Sequence, residues 1–191
     1  MNLKNVLPYD GQSYLVDDSD GELNWPEIAA HLAKTLPWRV ETARLFGREI
    51  PVPRMTAWFG TKCYAYSGIR HEAAPLPGVL ERLHARAEKL SDASYNSVLC
   101  NLYRDGRDSV GWHSDSEAIL GDRPTIASLS LGATRRFQFR HRKTKETITL
   151  ELKEGQWLMM VGQTQRYWLH QLPKTVAPVG CRINLTFRRM I

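Results

Sequence analysis

Cysteine is scarce in this sequence. Cys63, Cys100 and Cys181 are an odd number, far apart, and no CxxC pair occurs. Neither a disulfide framework nor a zinc knuckle is expected, and a reduced compartment fits, cytoplasmic or, in a eukaryote, nuclear. Long apolar runs are also missing. None approaches the roughly 18 residues of a membrane-crossing helix, so no membrane partner is expected. No apolar stretch follows Met1 to Asn5, and no secretory signal is expected. Internal repeats and low-complexity tracts are absent. With 42% apolar and 24% charged residues, the composition is that of a globular chain and excludes disorder throughout. A length of 191 residues predicts a single domain, and a monomer is the expectation.

Positive charge is present in excess but unevenly. The formal net charge is +6, which favours polyanionic partners without requiring them. Residues 1–96 hold 11 Lys/Arg against 12 Asp/Glu, while residues 97–191 hold 15 against 8. Within the second half, Arg135, Arg136, Arg140, Arg142, Lys143 and Lys145 fall in one stretch without an acid. A solvated face is the bland reading of such a run.

The two halves also differ in pattern. Asn24-Trp25-Pro26-Glu27 opens a first helix, with Asn24 as N-cap and Pro26 in the first turn. Ile28, Leu32 and Leu36 supply its apolar face, and Pro37 ends it. A second helix is predicted from about Pro77 to Leu90, with Val79, Leu80, Leu83, Ala87 and Leu90 on one side. After Asp92 the pattern becomes strands separated by turn signals: Ser97–Tyr103, Ile126–Leu131, Phe137–Arg140, Thr147–Leu152, Trp157–Val161, Arg166–Leu172 and Arg182–Phe187. Short strands at this spacing predict a sandwich or barrel, jelly rolls included. The fold class is therefore α+β, mainly β. It is one domain, with helices in about 1–95 and a β-core in about 96–191.

Trp112-His113-Ser114-Asp115 contains H-x-D. On a strand, residues i and i+2 share a face, so His113 and Asp115 could reach one metal ion. Alone, they read more readily as a surface histidine and a turn aspartate. His170 lies 55 residues after Asp115 in a strand-like segment. Two histidines and a carboxylate are the ligand set of non-heme Fe(II) oxygenases, which leave positions open for cosubstrate and dioxygen. The segment Arg182-Ile183-Asn184-Leu185-Thr186-Phe187-Arg188 alternates without a break. Its polar face is either an ordinary wet surface or, with arginines at both ends, a site for a ligand carrying two carboxylates. Asn101 and Tyr103 share a face of another strand and could add neutral hydrogen bonds.

Several further motifs accompany these residues in order. They are Pro53-Arg54-Met55-Thr56-Ala57-Trp58-Phe59-Gly60, Tyr64-Ala65-Tyr66-Ser67-Gly68, Ser130 to Phe137, and Met160 to Gln165. From Phe46 to Arg188 the chain resembles the AlkB family of Fe(II)- and 2-oxoglutarate-dependent dioxygenases. The resemblance implies a double-stranded β-helix (jelly-roll) core beneath a nucleotide-recognition lid. It implies Fe(II) held by His113, Asp115 and His170, the catalytic centre. It also implies 2-oxoglutarate bound by Asn101, Tyr103, Arg182, Asn184 and Arg188, the two arginines pairing its two carboxylates, with O2 as co-reactant. The implied reaction hydroxylates the methyl group of an N-alkylated base of the 1-methyladenine or 3-methylcytosine type, releasing formaldehyde, succinate and CO2. Alkylated DNA is the expected partner, with RNA or a protein side chain as alternative substrates.

A base inside a duplex is out of reach, so it must be flipped or met in a single strand. The resemblance places Tyr66 as a plate against the base, with Tyr64 and Trp58 as further aromatic candidates. It places Glu117 at the base edge and Phe46 as a wedge for the gap left in a duplex. Phosphate contacts are expected from part of the Arg135–Lys145 run, Arg135 and Arg136 included, and from Arg44, Arg48 and Arg54.

Overall fold

The structure is a computed structural model describing residues 3–18, 23–45, 48–66 and 69–191, without the side chains of residues 43–49 and 64–71. A strand β1 (Gln12–Asp17) precedes helix α1 (Trp25–Thr35). Asn24 caps that helix, its side chain accepting the Glu27 amide at 3.3 Å. Trp25, Ile28 and Leu32 form the buried stripe, and the helix stops at Leu36, the residue before Pro37. Strands β2 (Arg39–Leu45), β3 (Arg48–Gly60), β4 (Tyr64–Tyr66) and β5 (Ile69–His71) follow. Helix α2 (Gly78–Ser91) buries Leu80, Leu83 and Ala87 and ends at Asp92, which is left-handed at φ 51°.

The remainder is β6 (Ser97–Tyr103), β7 (Val110–His113), β8 (Ile126–Gly132), β9 (Arg135–His141), β10 (Thr147–Leu152), β11 (Gln156–Val161), a short α3 (Thr164–Tyr167), β12 (Trp168–Leu172) and β13 (Arg182–Arg188). A larger antiparallel sheet runs β1-β11-β8-β13-β6-β3-β2, and a smaller one β10-β9-β12-β7. They face each other across a cluster holding Ile126, Leu158 and Met160 from the first and Phe137, Phe139, Trp168 and Leu172 from the second. This is a double-stranded β-helix. The outer face of the larger sheet is covered by α1 and α2, through a cluster joining Trp25, Leu32, Leu80 and Leu83 to Ile183, Leu185 and Phe187.

Two expectations need revision. The first 95 residues supply helices, but also β1 at one edge of the larger sheet and β2 and β3 at the other. Pro51 and Pro53 disguise β3, because proline cannot donate to a ladder. Pro51 sits opposite Thr42 of the edge strand β2, and pairing to β6 starts only at Met55. The expected strand from Arg166 to Leu172 divides into α3 and β12.

The fold thus buries β13 on both faces. Leu185 is fully buried on the helix side. Leu185→Ala is expected to lower unfolding stability by about 2–5 kcal/mol through the cavity it leaves, measured by urea denaturation. Val176→Ala, at a fully exposed side chain, should stay within about 0.5 kcal/mol of the parent.

Candidate metal centre

His113 is the last residue of β7 and lies directly opposite His170 of β12 in the ladder. Their rings are 4.2 Å apart. Asp115 is beyond the end of β7, in a segment without regular structure, so it does not share a strand face with His113 as expected. A loop turns it inward instead. One ligand atom each of His113, Asp115 and His170 lies within 4.8 Å of the others. His113 Nδ1 is 2.8 Å from the Gly111 carbonyl. Donation there leaves Nε2, 3.9 Å from Asp115 Oδ1, as the lone-pair nitrogen.

Electrostatics sets the protonation states. His170 is enclosed beside Phe137 and Phe139. Burial first, then His113 and Arg188, depress its pKa to about 3 despite the opposing pull of Asp115, so its imidazole is neutral. Burial alone would raise the Asp115 carboxyl. Arg188, with the two histidines, overrides it and holds Asp115 at about 2. Arg188 donates from Nε and Nη2 to the same oxygen, Asp115 Oδ2, at 3.1 and 2.8 Å. The other carboxylate oxygen faces His113. Metal ligands must be deprotonated to bind, and Asp115 and His170 already are near neutral pH.

The metal triad forms one wall of a pocket between the sheets, also lined by Arg54, Asn101, Tyr103, Arg182, Asn184 and Arg188. Arg182 pairs across the ladder with Tyr103, and Asn184 with Asn101. The Arg182 guanidinium lies 5.4 Å from the Tyr103 ring centroid, and its Nη2 donates to Ser130 Oγ at 2.8 Å. Its Nε is buried without a hydrogen-bond partner. Burial lowers its pKa to about 10, which leaves it cationic at neutral pH. Among the described residues no carboxylate pairs with it. A buried charge without a counter-ion carries a penalty of several kcal/mol, of the order of 3–5 kcal/mol, which an incoming carboxylate would remove. The two arginines are therefore not equivalent. Arg182 has no carboxylate partner among the described residues, while Arg188 donates two hydrogen bonds to Asp115 of the candidate triad. Asn184 is engaged by Ser128 and Thr186, and Asn101 Oδ1 accepts from Arg54 Nε at 2.8 Å.

Three residues expected at the nucleic acid are elsewhere. Arg54 is buried against Asn101 inside the pocket, because β3 pairs with β6 there and turns it inward. Arg135 is 2% exposed, its guanidinium donating to the carbonyls of Asp105, Asp108 and Pro173; it clamps two loops and cannot reach phosphate. Trp58 is buried with Leu99, Leu120 and Met190, its Nε1 donating to the Lys62 carbonyl, and is a core aromatic. Arg136 is exposed on the outer face of the smaller sheet, opposite Glu151. Arg140 stacks on Trp112 at 4.2 Å. Arg142 reaches Ser114 Oγ, between two of the triad residues, at 2.6 Å. Glu117 is half-buried at the head of a 3-10 turn, Ala118–Leu120. Phe46 lies outside the described residues, as do the side chains of Tyr64, Tyr66, Arg44 and Arg48. Sequence reasoning gave no individual role to Gln165, whose side chain binds the Asp115 backbone, nor to Ser128 and Ser130.

Two histidines and a carboxylate, with open space on one side, define the site class: a mononuclear non-heme Fe(II) oxygenase centre. Residues 22–188 match the model of the 2OG-Fe(II) oxygenase superfamily. The alpha-ketoglutarate-dependent dioxygenase alkB homolog 3 of Mus musculus is 42% identical over 178 residues, covering 87% of this chain and 61% of that protein. The DNA oxidative demethylase ALKBH2 of Homo sapiens is 33% identical over 184 residues, covering 90% of this chain and 70% of that protein. The chain spans about three fifths of the length of the alkB homolog 3 proteins it matches. The solved structure of OsALKBH1 superposes with a TM-score of 0.61 over 99% of this chain and 100% of that one, at 17% identity, and supports the fold. The chain belongs to the AlkB family of the 2OG-Fe(II) oxygenase superfamily. That family implies Fe(II), 2-oxoglutarate and O2, and the clustered His113, Asp115 and His170 and an Arg182 without a carboxylate partner among the described residues fit the first two.

Arg182→Met should weaken binding of a 2-oxoglutarate analogue by at least about 30-fold, as loss of a buried charge partner does, in calorimetry with Mn(II) present. Its melting temperature without ligand should not fall, because the variant removes an uncompensated buried charge.

Proposed function

We propose that this chain oxidatively demethylates N-alkylated bases of the 1-methyladenine or 3-methylcytosine type in DNA. The single observation that carries the reading is the cationic Arg182, without a carboxylate partner among the described residues, facing the same pocket as His113, Asp115 and His170. A small dicarboxylate anchored at Arg182 would lie beside a metal held by the triad. Bound Fe(II), with 2-oxoglutarate and O2, supplies hydroxylation of the methyl carbon, which releases formaldehyde, succinate and CO2. The protein's part is orientation and exclusion of side reactions. Arg54, Arg182 and Arg188 against Asp115 leave the lining with surplus positive charge, which suits a dianion.

The choice of DNA draws its support from the relatives named DNA oxidative demethylase and from the basic hairpin between β9 and β10. Arg142 joins that hairpin to Ser114 of the metal loop, and Lys143 and Lys145 are exposed beside it. Phosphate held there would lie at the pocket mouth. In this reading Tyr66 and Tyr64 stack on the base, Glu117 meets its edge and Phe46 fills the duplex gap.

Incubation with Fe(II), ascorbate, 2-oxoglutarate and a 3-methylcytosine DNA oligonucleotide is expected to release formaldehyde and succinate in equal amounts. His113→Ala should abolish both. Succinate release without demethylation of DNA would sink the substrate assignment, and faster turnover on a matched RNA would transfer it to RNA. Replacing Arg142, Lys143 and Lys145 with alanine should weaken DNA binding and reduce the salt slope by about one for each phosphate no longer neutralised.

A further inference from the structure

The metal loop presents a positioning problem. β7 ends at His113, so Asp115 stands outside the ladder that fixes both histidines. Arg188 holds its carboxylate, but a bond to the side chain does not by itself fix the backbone. The Asp115 amide donates to Gln165 Oε1 at 2.9 Å. Gln165 is 3% exposed, and its Nε2 faces Met160 Sδ at 3.4 Å. A thioether only accepts and a backbone N–H only donates, so the amide has one consistent orientation.

Gln165 is itself immobilised. It belongs to α3, whose Thr164 Oγ accepts the Gln12 amide of β1 at 2.9 Å. The Tyr167 carbonyl of α3 accepts the amide of Arg142 at 2.8 Å. β12 leaves α3 without a break and carries His170. One short element thus places two of the three triad residues, His170 through the chain and Asp115 through the Gln165 amide.

We propose that Gln165 is a positioning residue for the metal centre, setting the backbone of Asp115 so that its carboxylate meets the two histidines. The inference rests on the reading of the triad as a metal site. Partners that orient metal ligands are typically worth about 10–100-fold in metal affinity. Leucine is close to glutamine in size but has no acceptor for the Asp115 amide, whereas glutamate keeps one.

The test is Mn(II) affinity of the purified proteins by electron paramagnetic resonance, without substrate, together with their melting temperatures and amide exchange in the metal-free parent. Gln165→Leu should weaken Mn(II) binding about 10–100-fold, and Gln165→Glu should stay within about threefold of the parent, as expected if the acceptor is what matters. The Asp115 amide of the parent should be protected from exchange. A Leu variant that melts lower yet binds Mn(II) as tightly as the parent would reduce Gln165 to packing and overturn the proposal. So would a Glu variant as weak as Leu. If Gln165→Leu does not fold, rapid exchange of the Asp115 amide in the parent overturns it equally. Asp115→Ala separates the two levels of the argument. If the parent binds Mn(II) no better than Asp115→Ala, the metal reading has failed, not merely the role of Gln165.

Discussion

Burial of β13 on both faces is the constraint from which the site follows. Its Ile183, Leu185 and Phe187 serve the helix-covered core, while Arg182, Asn184, Thr186 and Arg188 are turned between the sheets. Polar groups removed from water must find partners. Asn184 finds them on the neighbouring β8, and Thr186 finds Asn184 on its own strand. Arg188 finds Asp115. Arg182 finds the hydroxyl of Ser130 and the side chain of Tyr103, but among the described residues no carboxylate. Stability withheld at that position would be available as binding energy for an anion, which would then lie in the same pocket as the candidate triad.

The same constraint explains why the aspartate can serve. A carboxylate sealed between sheets would ordinarily take up a proton. Arg188 prevents this by charge and by two hydrogen bonds to one oxygen. Because both bonds go to Oδ2, Oδ1, which faces His113, is the oxygen that would hold a metal. His170 is kept neutral by the same enclosure that would have neutralised Asp115. Burial thus acts against the charged form of both groups, and Arg188, with the two histidines, keeps the carboxylate charged while the His170 imidazole stays neutral.

Much of this was legible in the sequence because it depends on short periods. The alternation of Arg182 to Arg188 showed one polar and one apolar face. The Asn24 cap of the first helix, the apolar stripes of both helices, and the strands Ser97–Tyr103 and Thr147–Leu152 appear where expected. What could not be read depends on layers. Arg135 and Arg136 look alike in a basic run, yet one step of a strand puts the first under the sheet and the second outside it. Arg54 follows two prolines and resembles a loop residue until β3 is paired. Trp58 is a core residue only because β6 lies beside it. The hydrogen bond from Asp115 to Gln165 spans 50 residues, and no local pattern announces a bond of that kind.

This division changes what the basic charge means. The excess belongs to residues 97–191, but Arg135, Arg182 and Arg188 are inside, binding carbonyls, awaiting an anion and holding the metal aspartate. Counting them toward nucleic-acid affinity would confuse interior charge with surface field. Charge for phosphate must be sought where solvent reaches it, and close enough to the pocket that a held backbone leaves a base at the metal. The β9–β10 turn meets both conditions, since the Arg142 side chain touches the loop that carries Asp115. The Arg142 backbone is also bonded to α3, the element that supports Asp115 and leads into His170. That turn, α3 and the loop carrying Asp115 thus form one small bonded framework around the candidate metal ligands.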